Sequence, residues 1–206
     1  EEKSIMYLMA RAAKQAGTPA IRTSSIRDVI AIKEETGLPV IGLVKVQYPG
    51  YEGFITPTMK EVDDLVAAGS DIVALDCTLR KRGDGSTVNE FIAQIREKYP
   101  DIILMADISN YEEGINAWKC GVDIVGTTMS GYTAYTSSVS DGPDYELMER
   151  LSRDINIPVI GEGRIHYPDQ AVKALQTGAW AIVVGGAITR PLEIAMRFQN
   201  AIKESR

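Results

Sequence analysis

Histidine, cysteine and long apolar runs are all scarce in this chain, and each scarcity removes a class of chemistry. Only His166 is a histidine among 206 residues, so a Ser-His-Asp relay has no partner pattern to build on. No spacing of Asp, Glu and His resembles a metal site. The two cysteines, Cys77 and Cys120, lack redox or metal spacing. Both lie in apolar context and read as buried free thiols of a cytoplasmic protein. No stretch is long enough to span a bilayer, and no signal-peptide pattern is present. Cations are outnumbered, 22 Lys and Arg against 28 Asp and Glu, and no basic stripe breaks the net charge of −6, which excludes nucleic acid as the partner. No Gly-x-Gly-x-x-Gly follows a strand, so the dinucleotide fingerprint is missing as well. Aromatic residues make up 7%, and Trp118 and Trp180 read as packing residues rather than a stacking platform.

What is present is a repeat. Ile5, Leu8, Met9, Ala12 and Ala13 recur at helical spacing over residues 5–15 and are stopped by Gly17. A short apolar strand follows, and the unit of helix, glycine and strand recurs about every 20–35 residues. Gly17, Gly37, Gly69, Gly121 and Gly178 stand where helices should end, because glycine enters the left-handed cap conformation without a Cβ penalty. Further helices are expected over residues 26–36, 56–68, 87–98, 111–119, 144–154, 167–178 and 191–203. The strands read as continuous buried runs, Ala181-Ile-Val-Val among them, which is the signature of a parallel sheet. The count is seven strands and eight helices, helix first. The fold class expected is α/β, a (β/α)8 barrel forming one domain over residues 1–206, with its first strand upstream of Glu1. An open doubly wound sheet is the competing fold. Polar residues at nearly every strand end favour the barrel, because a barrel gathers all strand ends at one mouth.

Those strand-end residues are Arg22, Lys45, Asp76, Asp107, Thr127 with Thr128, Glu162, and Gly185 with Gly186. A charge at the end of a buried run is costly unless it is paired or used. Lys45 is the sharpest case: it follows Val40-Ile-Gly-Leu-Val, can point to the barrel axis, and would serve there as a proton-transfer base or as a stabiliser of an anion. An ion pair sealing the barrel top is the structural alternative for Lys45, Glu162, Asp76 and Asp107. The last two strands end in Glu162-Gly163-Arg164 and Gly185-Gly186, with Arg190-Pro191 just beyond. Bare backbone at Gly163, Gly185 and Gly186, next to helix starts, suits a phosphate, with Arg190 as its cation. His166 reads as a loop residue, residues 80–82 as a solvated basic loop, and the loop of residues 130–143 carries Tyr132 and Tyr135, which could close over a substrate. The residues alone thus suggest a small phosphate-bearing ligand, with a lysine and carboxylates within reach of its other end. Proton abstraction next to a carbonyl, or an aldol or Schiff-base step, fits that set.

Six segments go further. Pro39-Val-Ile-Gly-Leu-Val-Lys45, Phe54-Ile-Thr-Pro-Thr-Met-Lys-Glu-Val-Asp, Ile72-Val-Ala-Leu-Asp76-Cys-Thr, Leu104-Met-Ala-Asp107-Ile, Gly126-Thr-Thr-Met-Ser-Gly-Tyr-Thr and Val183-Val-Gly-Gly-Ala-Ile-Thr-Arg190-Pro closely resemble the N-acetylmannosamine-6-phosphate 2-epimerase family, in order along nearly the whole chain. The resemblance implies a (β/α)8 barrel of the ribulose-phosphate-binding type. It implies interconversion of N-acetylmannosamine 6-phosphate and N-acetylglucosamine 6-phosphate in sialic acid breakdown, with neither a metal nor an organic cofactor. It assigns Lys45 and Glu162 as catalytic, Arg22 and Asp107 to the substrate, and Arg190 to the phosphate beside the Gly185-Gly186 backbone; Thr128, from the strand-end set, joins the substrate-binding candidates. The partner expected is therefore an amino-sugar phosphate, and a homodimer is the expected assembly. One departure stands out: the family's first strand, with a substrate-binding glutamine, precedes the first helix, and neither is in this chain. The rival readings are a non-catalytic sugar-phosphate-binding barrel and another sugar-phosphate isomerase. A ribulose-phosphate epimerase would need metal ligands or paired aspartates at strand ends, and the histidines for a metal are missing.

Overall fold

The computed structural model describes residues 4–137 and 142–205. The chain opens with α1 (Met6–Gln15) and then alternates: β1 (Ile21–Ser24), α2 (Ile26–Thr36), β2 (Val40–Leu43), α3 (Met59–Ala67), β3 (Ile72–Asp76), α4 (Val88–Lys98), β4 (Ile103–Asp107) and α5 (Tyr111–Lys119). It continues with β5 (Ile124–Gly126), α6 (Tyr145–Asp154), β6 (Val159–Glu162), α7 (Pro168–Gln176), β7 (Ala181–Val183), α8 (Gly186–Thr189) and α9 (Pro191–Glu204). The glycine signals hold. Gly37 closes α2 at φ 63°, its N–H bonded to the Lys33 carbonyl, and left-handed glycines at 17, 69, 121 and 178 follow α1, α3, α5 and α7. Helix starts are fixed as locally. Thr58 with Glu61 and Thr87 with Glu90 form capping boxes, and Asn110 and Asp144 accept from the third residue of α5 and α6.

All seven strands run parallel in the order β1 to β7, each paired with its sequence neighbours. Among the described residues no ladder joins β7 to β1, so these are seven consecutive strands of a (β/α)8 barrel with one strand's place open between them. Side chains alternate across the sheet with period two. Val73, Leu75, Leu104, Ala106, Val125 and Val159 face the helices and join the main core with Phe91, Ile92 and Leu151. Ile41, Leu43, Ala74, Met105, Ile124 and Ile160 face the other way and fill the barrel interior.

The open place accounts for several departures from expectation. β7 was expected as a buried strand, but all three of its residues are only half-buried, because no strand covers its far edge. Trp180, just before it, is 72% exposed and is not a packing residue. α9 packs chiefly against α8 and leaves Leu192, Met196 and Phe198 exposed. The four-residue α8 raises the helix count among the described residues from the expected eight to nine. Cys77 is buried as expected, whereas Cys120 is only partly so. Of the loop over residues 130–143, positions 138–141 lie outside the described residues. No helix among those described is long and apolar enough to cross a membrane.

Candidate active site

The alternation that fills the barrel also decides which polar side chains look into its mouth. Asp107 stands two residues beyond the inward Met105, Glu162 two beyond Ile160, Asp76 two beyond Ala74, and Thr128 four beyond Ile124. Arg22 is in register with inward-facing Ile41. Four strands thereby deliver one network. Arg22 Nη2 lies 2.7 Å from Asp107 Oδ2, and its Nε lies 3.2 Å from Glu162 Oε1. Nη1 donates to the Met105 sulfur at 3.3 Å, so the guanidinium rests on the topmost apolar layer. The Thr128 hydroxyl is 2.6 Å from Asp107 Oδ1 and 3.2 Å from Glu162 Oε2. Gly126 makes room for this arrangement, since a Cβ there would meet the Met105 methyl at 2.4 Å. Thr127 pins the Glu162 backbone from both sides: its hydroxyl donates to the Glu162 carbonyl and accepts from the Glu162 N–H.

The electrostatics are uneven. The Asp107 side chain is 0% exposed and Glu162 17%. Burial pushes the Glu162 carboxyl up to about 7; Arg22 opposes this, the Asp107 charge adds to it, and Lys45 opposes it more weakly. Glu162 thus changes charge near neutral pH, as an acid–base group needs to. Lys45 lies two residues past the end of β2. An antiparallel bridge to Ile55 holds its backbone, flanked by the Val46 N–H to Phe54 carbonyl bond. Its side chain is exposed, and no carboxylate of the described residues lies within ion-pair distance of its ammonium. Of the two readings open for Lys45, the structure disfavours a structural ion pair at the barrel top.

The phosphate candidates lie on the neighbouring strand ends. β6 and β7 pair in register from Ile160 with Ala181 to Glu162 with Val183, so the chains beyond them emerge side by side. Gly163 has φ 105°, open to few residues other than glycine. Gly185 caps the start of α8, and a Cβ on it would meet nothing within 4 Å. Arg190 lies over Gly186, with Nη1 2.7 Å from Glu193 Oε1, and both side chains are largely exposed.

Two expectations need correction. The basic loop is not solvated at both its arginines. Arg80 pairs with Asp76 at 2.5 Å, and Arg82, 7% exposed, stacks over Phe91 and Tyr51 and donates to the Pro57 carbonyl. Asp76 is accordingly committed to Thr78 and Arg80 beside the network, and burial holds its carboxyl above the ordinary carboxylate range. The Tyr135 hydroxyl is tied to buried Glu113 and to Ser109, while Tyr132 remains exposed near Gly163. His166 is a loop residue between β6 and α7, as expected. Arg164 was named in the sequence without a role: it has φ 54°, and its guanidinium packs against Gly131 where a Cβ would lie. The sequence presented Gly163 as bare backbone for a phosphate and gave the Arg164 side chain no part in it.

A family model described as "Putative N-acetylmannosamine-6-phosphate epimerase" matches residues 6–204. The chain belongs to this family. A relative from Caldanaerobacter subterraneus subsp. tengcongensis, named "Putative N-acetylmannosamine-6-phosphate 2-epimerase", is 56% identical over 202 residues, covering 98% of this chain and 85% of the relative. The solved N-acetylmannosamine-6-phosphate 2-epimerase from Clostridium perfringens superposes with a TM-score of 0.91 at 49% identity, covering 96% of this chain and 85% of that one. Thiamine phosphate pyrophosphorylase from Pyrococcus furiosus, at TM-score 0.61 and 21% identity over 88% of this chain and 79% of its own, shares the fold alone. In this chain Arg22, which lies within β1 rather than at its end as expected, joins Asp107 and Glu162 at the ends of β4 and β6 and Thr128 just past β5 in one network of hydrogen bonds, closed by the Arg22–Glu162 ion pair.

Proposed function

We propose that this chain interconverts N-acetylmannosamine 6-phosphate and N-acetylglucosamine 6-phosphate by moving the proton at C2 of the ring-opened sugar. The observation that carries the reading is a neutral-range acid, Glu162, facing a mouth that also holds the unpaired Lys45, in a chain of the epimerase family. The C2–H bond is acidic because C2 adjoins the C1 aldehyde. Lys45, when neutral, takes the C2 proton, and the C2–H electron pair becomes the C1–C2 double bond. The C1 oxygen gains the charge and takes the Glu162 proton, giving a neutral enol. A proton from solvent then adds to the opposite face of C2, the O1 proton goes back to Glu162, and Lys45 releases the proton it took to solvent, which completes inversion and restores both residues. Arg22 and Asp107 meet the polar groups of the sugar, and the backbone of Gly163, Gly185 and Gly186 cradles the phosphate with Arg190.

NMR of N-acetylmannosamine 6-phosphate with the protein in D2O tests this. The expected result is the glucosamine epimer carrying deuterium at C2; binding without exchange would mean a sensor, and no binding a different sugar phosphate. Arg190→Ala should raise KM about 10–100-fold, the loss of one or two charge-assisted hydrogen bonds, with kcat little changed; an unchanged KM refutes the phosphate role. The free thiols of Cys77 and Cys120 support a cytoplasmic setting. A homodimer is the assembly expected, a dimer being the commonest state of a soluble enzyme. Light scattering should give twice the chain mass, and a monomer at high concentration would overturn that assembly.

A further inference from the structure

Two carboxylates share one cation in the barrel mouth, and a single hydroxyl lies between them. A hydroxyl has one proton to donate and two lone pairs to accept with. The Thr128 contact to Asp107, 2.6 Å, is in the range of a hydrogen bond to an ionised carboxylate. The contact to Glu162 is 3.2 Å. Once the hydroxyl proton goes to Asp107, a charged Glu162 oxygen would face only lone pairs on Thr128, which is repulsive. A protonated Glu162 would instead donate to them. Arg22 divides itself in the same sense, 2.7 Å from Asp107 and 3.2 Å from Glu162. Asp107, with no exposure and two short donors, is the settled anion of the pair. Thr127 is occupied with the Glu162 backbone, so the described side chains that address the Glu162 carboxyl at hydrogen-bond distance are Arg22 from β1 and Thr128 from the end of β5. The charges facing it are Arg22 from β1, Lys45 beyond β2 and Asp107 from β4, while its register partner on β7 is the apolar Val183.

We propose that Thr128 is a positioning residue that assigns the protons of this pair: its hydroxyl donates to Asp107 and accepts from Glu162, so that the transferable proton stays on the carboxyl facing the mouth. Thr128 was expected from sequence to bind substrate, and this role differs from that one. Removing the hydroxyl withdraws an acceptor from protonated Glu162 and a donor from ionised Asp107. Both losses move the proton from Glu162 to Asp107, and both therefore lower the pH at which Glu162 ionises.

The consequence for turnover rests on the epimerase reading, but the proton assignment is measured without substrate. The Glu162 carboxyl is followed by 13C NMR titration of the unliganded protein, its signal identified by its loss in E162Q. In Thr128→Val the Glu162 midpoint should fall by about one pH unit, with Thr128→Ser staying close to the parent protein. Thr128→Ala should fall in the same way and serves if valine disturbs the fold. The limb of the kcat/KM profile that reports loss of the Glu162 proton should shift with it. A midpoint that rises in the valine and alanine variants would make Thr128 a donor to Glu162 and overturn the proposal. An unmoved midpoint with a raised KM would make it a substrate contact and overturn it too. A lowered midpoint in a protein that shows no C2 exchange in D2O would uphold the proton assignment while the epimerase reading failed.

Discussion

Replacing Lys45 with alanine should abolish exchange of the C2 proton, with kcat falling about 10²–10⁴-fold, the usual contribution of a positioned acid–base group. Binding should survive, because the phosphate and the remaining hydroxyls are met by other residues. The expectation rests on where Lys45 is and on what it lacks. Its backbone is fixed by the bridge to Ile55, and no carboxylate of the described residues holds its ammonium, whereas Arg22 and Arg80 in the same mouth are each paired within 2.7 Å. Lys45→Arg separates proton transfer from charge. Arginine keeps the cation but does not give up its proton in a protein, so it should be nearly as inactive as alanine. Substantial turnover in the arginine variant would mean that Lys45 works only by its field on Glu162. Full turnover in the alanine variant would remove it from the chemistry. Isothermal titration with the substrate alongside the kinetics distinguishes lost binding from lost turnover.

Much of this mouth was legible in sequence because a parallel barrel uses residues in a regular way. Where a buried run ends, the last inward position is at the mouth, so Asp107 at the end of Ile103–Asp107 and Glu162 at the end of Val159–Glu162 could be named without coordinates. Which of them meet could not be named, since the Arg22 to Asp107 contact joins residues 85 apart in sequence. The Arg80 to Arg82 stretch misled for a local reason. Three basic residues before Gly-Asp-Gly look like a surface turn, yet Asp76 at the preceding strand end needed a cation, and Phe91 on α4 offered a face for a second one. That strand-end carboxylate, with a run of cations four to six residues on, was the available signal. Trp180 and β7 misled for the opposite reason. Their sequence is that of a strand covered on both faces, and their exposure follows from the unpaired edge beside them, which no local pattern encodes.

Arg22→Leu should destabilise the fold by about 3–5 kcal/mol at pH 8, the range for removing one partner of a buried ion pair, which lowers Tm by roughly 10 °C in a chain of this size. The leucine fills part of the space but leaves Asp107, 0% exposed, and Glu162 facing each other without a cation. Two such carboxylates cannot both ionise, so the pair holds a proton to higher pH than before. The sign of the pH dependence follows. Burial already holds the Glu162 carboxyl at about 7, above its ordinary value, so the folded state binds its proton more tightly than the unfolded chain does. A group raised in this way costs nothing below its unfolded pKa, and its cost grows as pH rises toward the folded value. Loss of Arg22 raises the pair further, so the destabilisation of Arg22→Leu should be largest at pH 8 and shrink toward pH 5, as seen in urea denaturation at the two pH values. Adding Asp107→Asn removes one of the competing charges and should restore part of the loss at pH 8. An equal loss at both pH values, unrelieved by Asp107→Asn, would mean that Arg22 supports the barrel by packing on Met105 and that the charges contribute little. Otherwise the mouth is held together by the same Arg22 that pairs with both Asp107 and Glu162, and stability and proton placement in this site depend on one guanidinium.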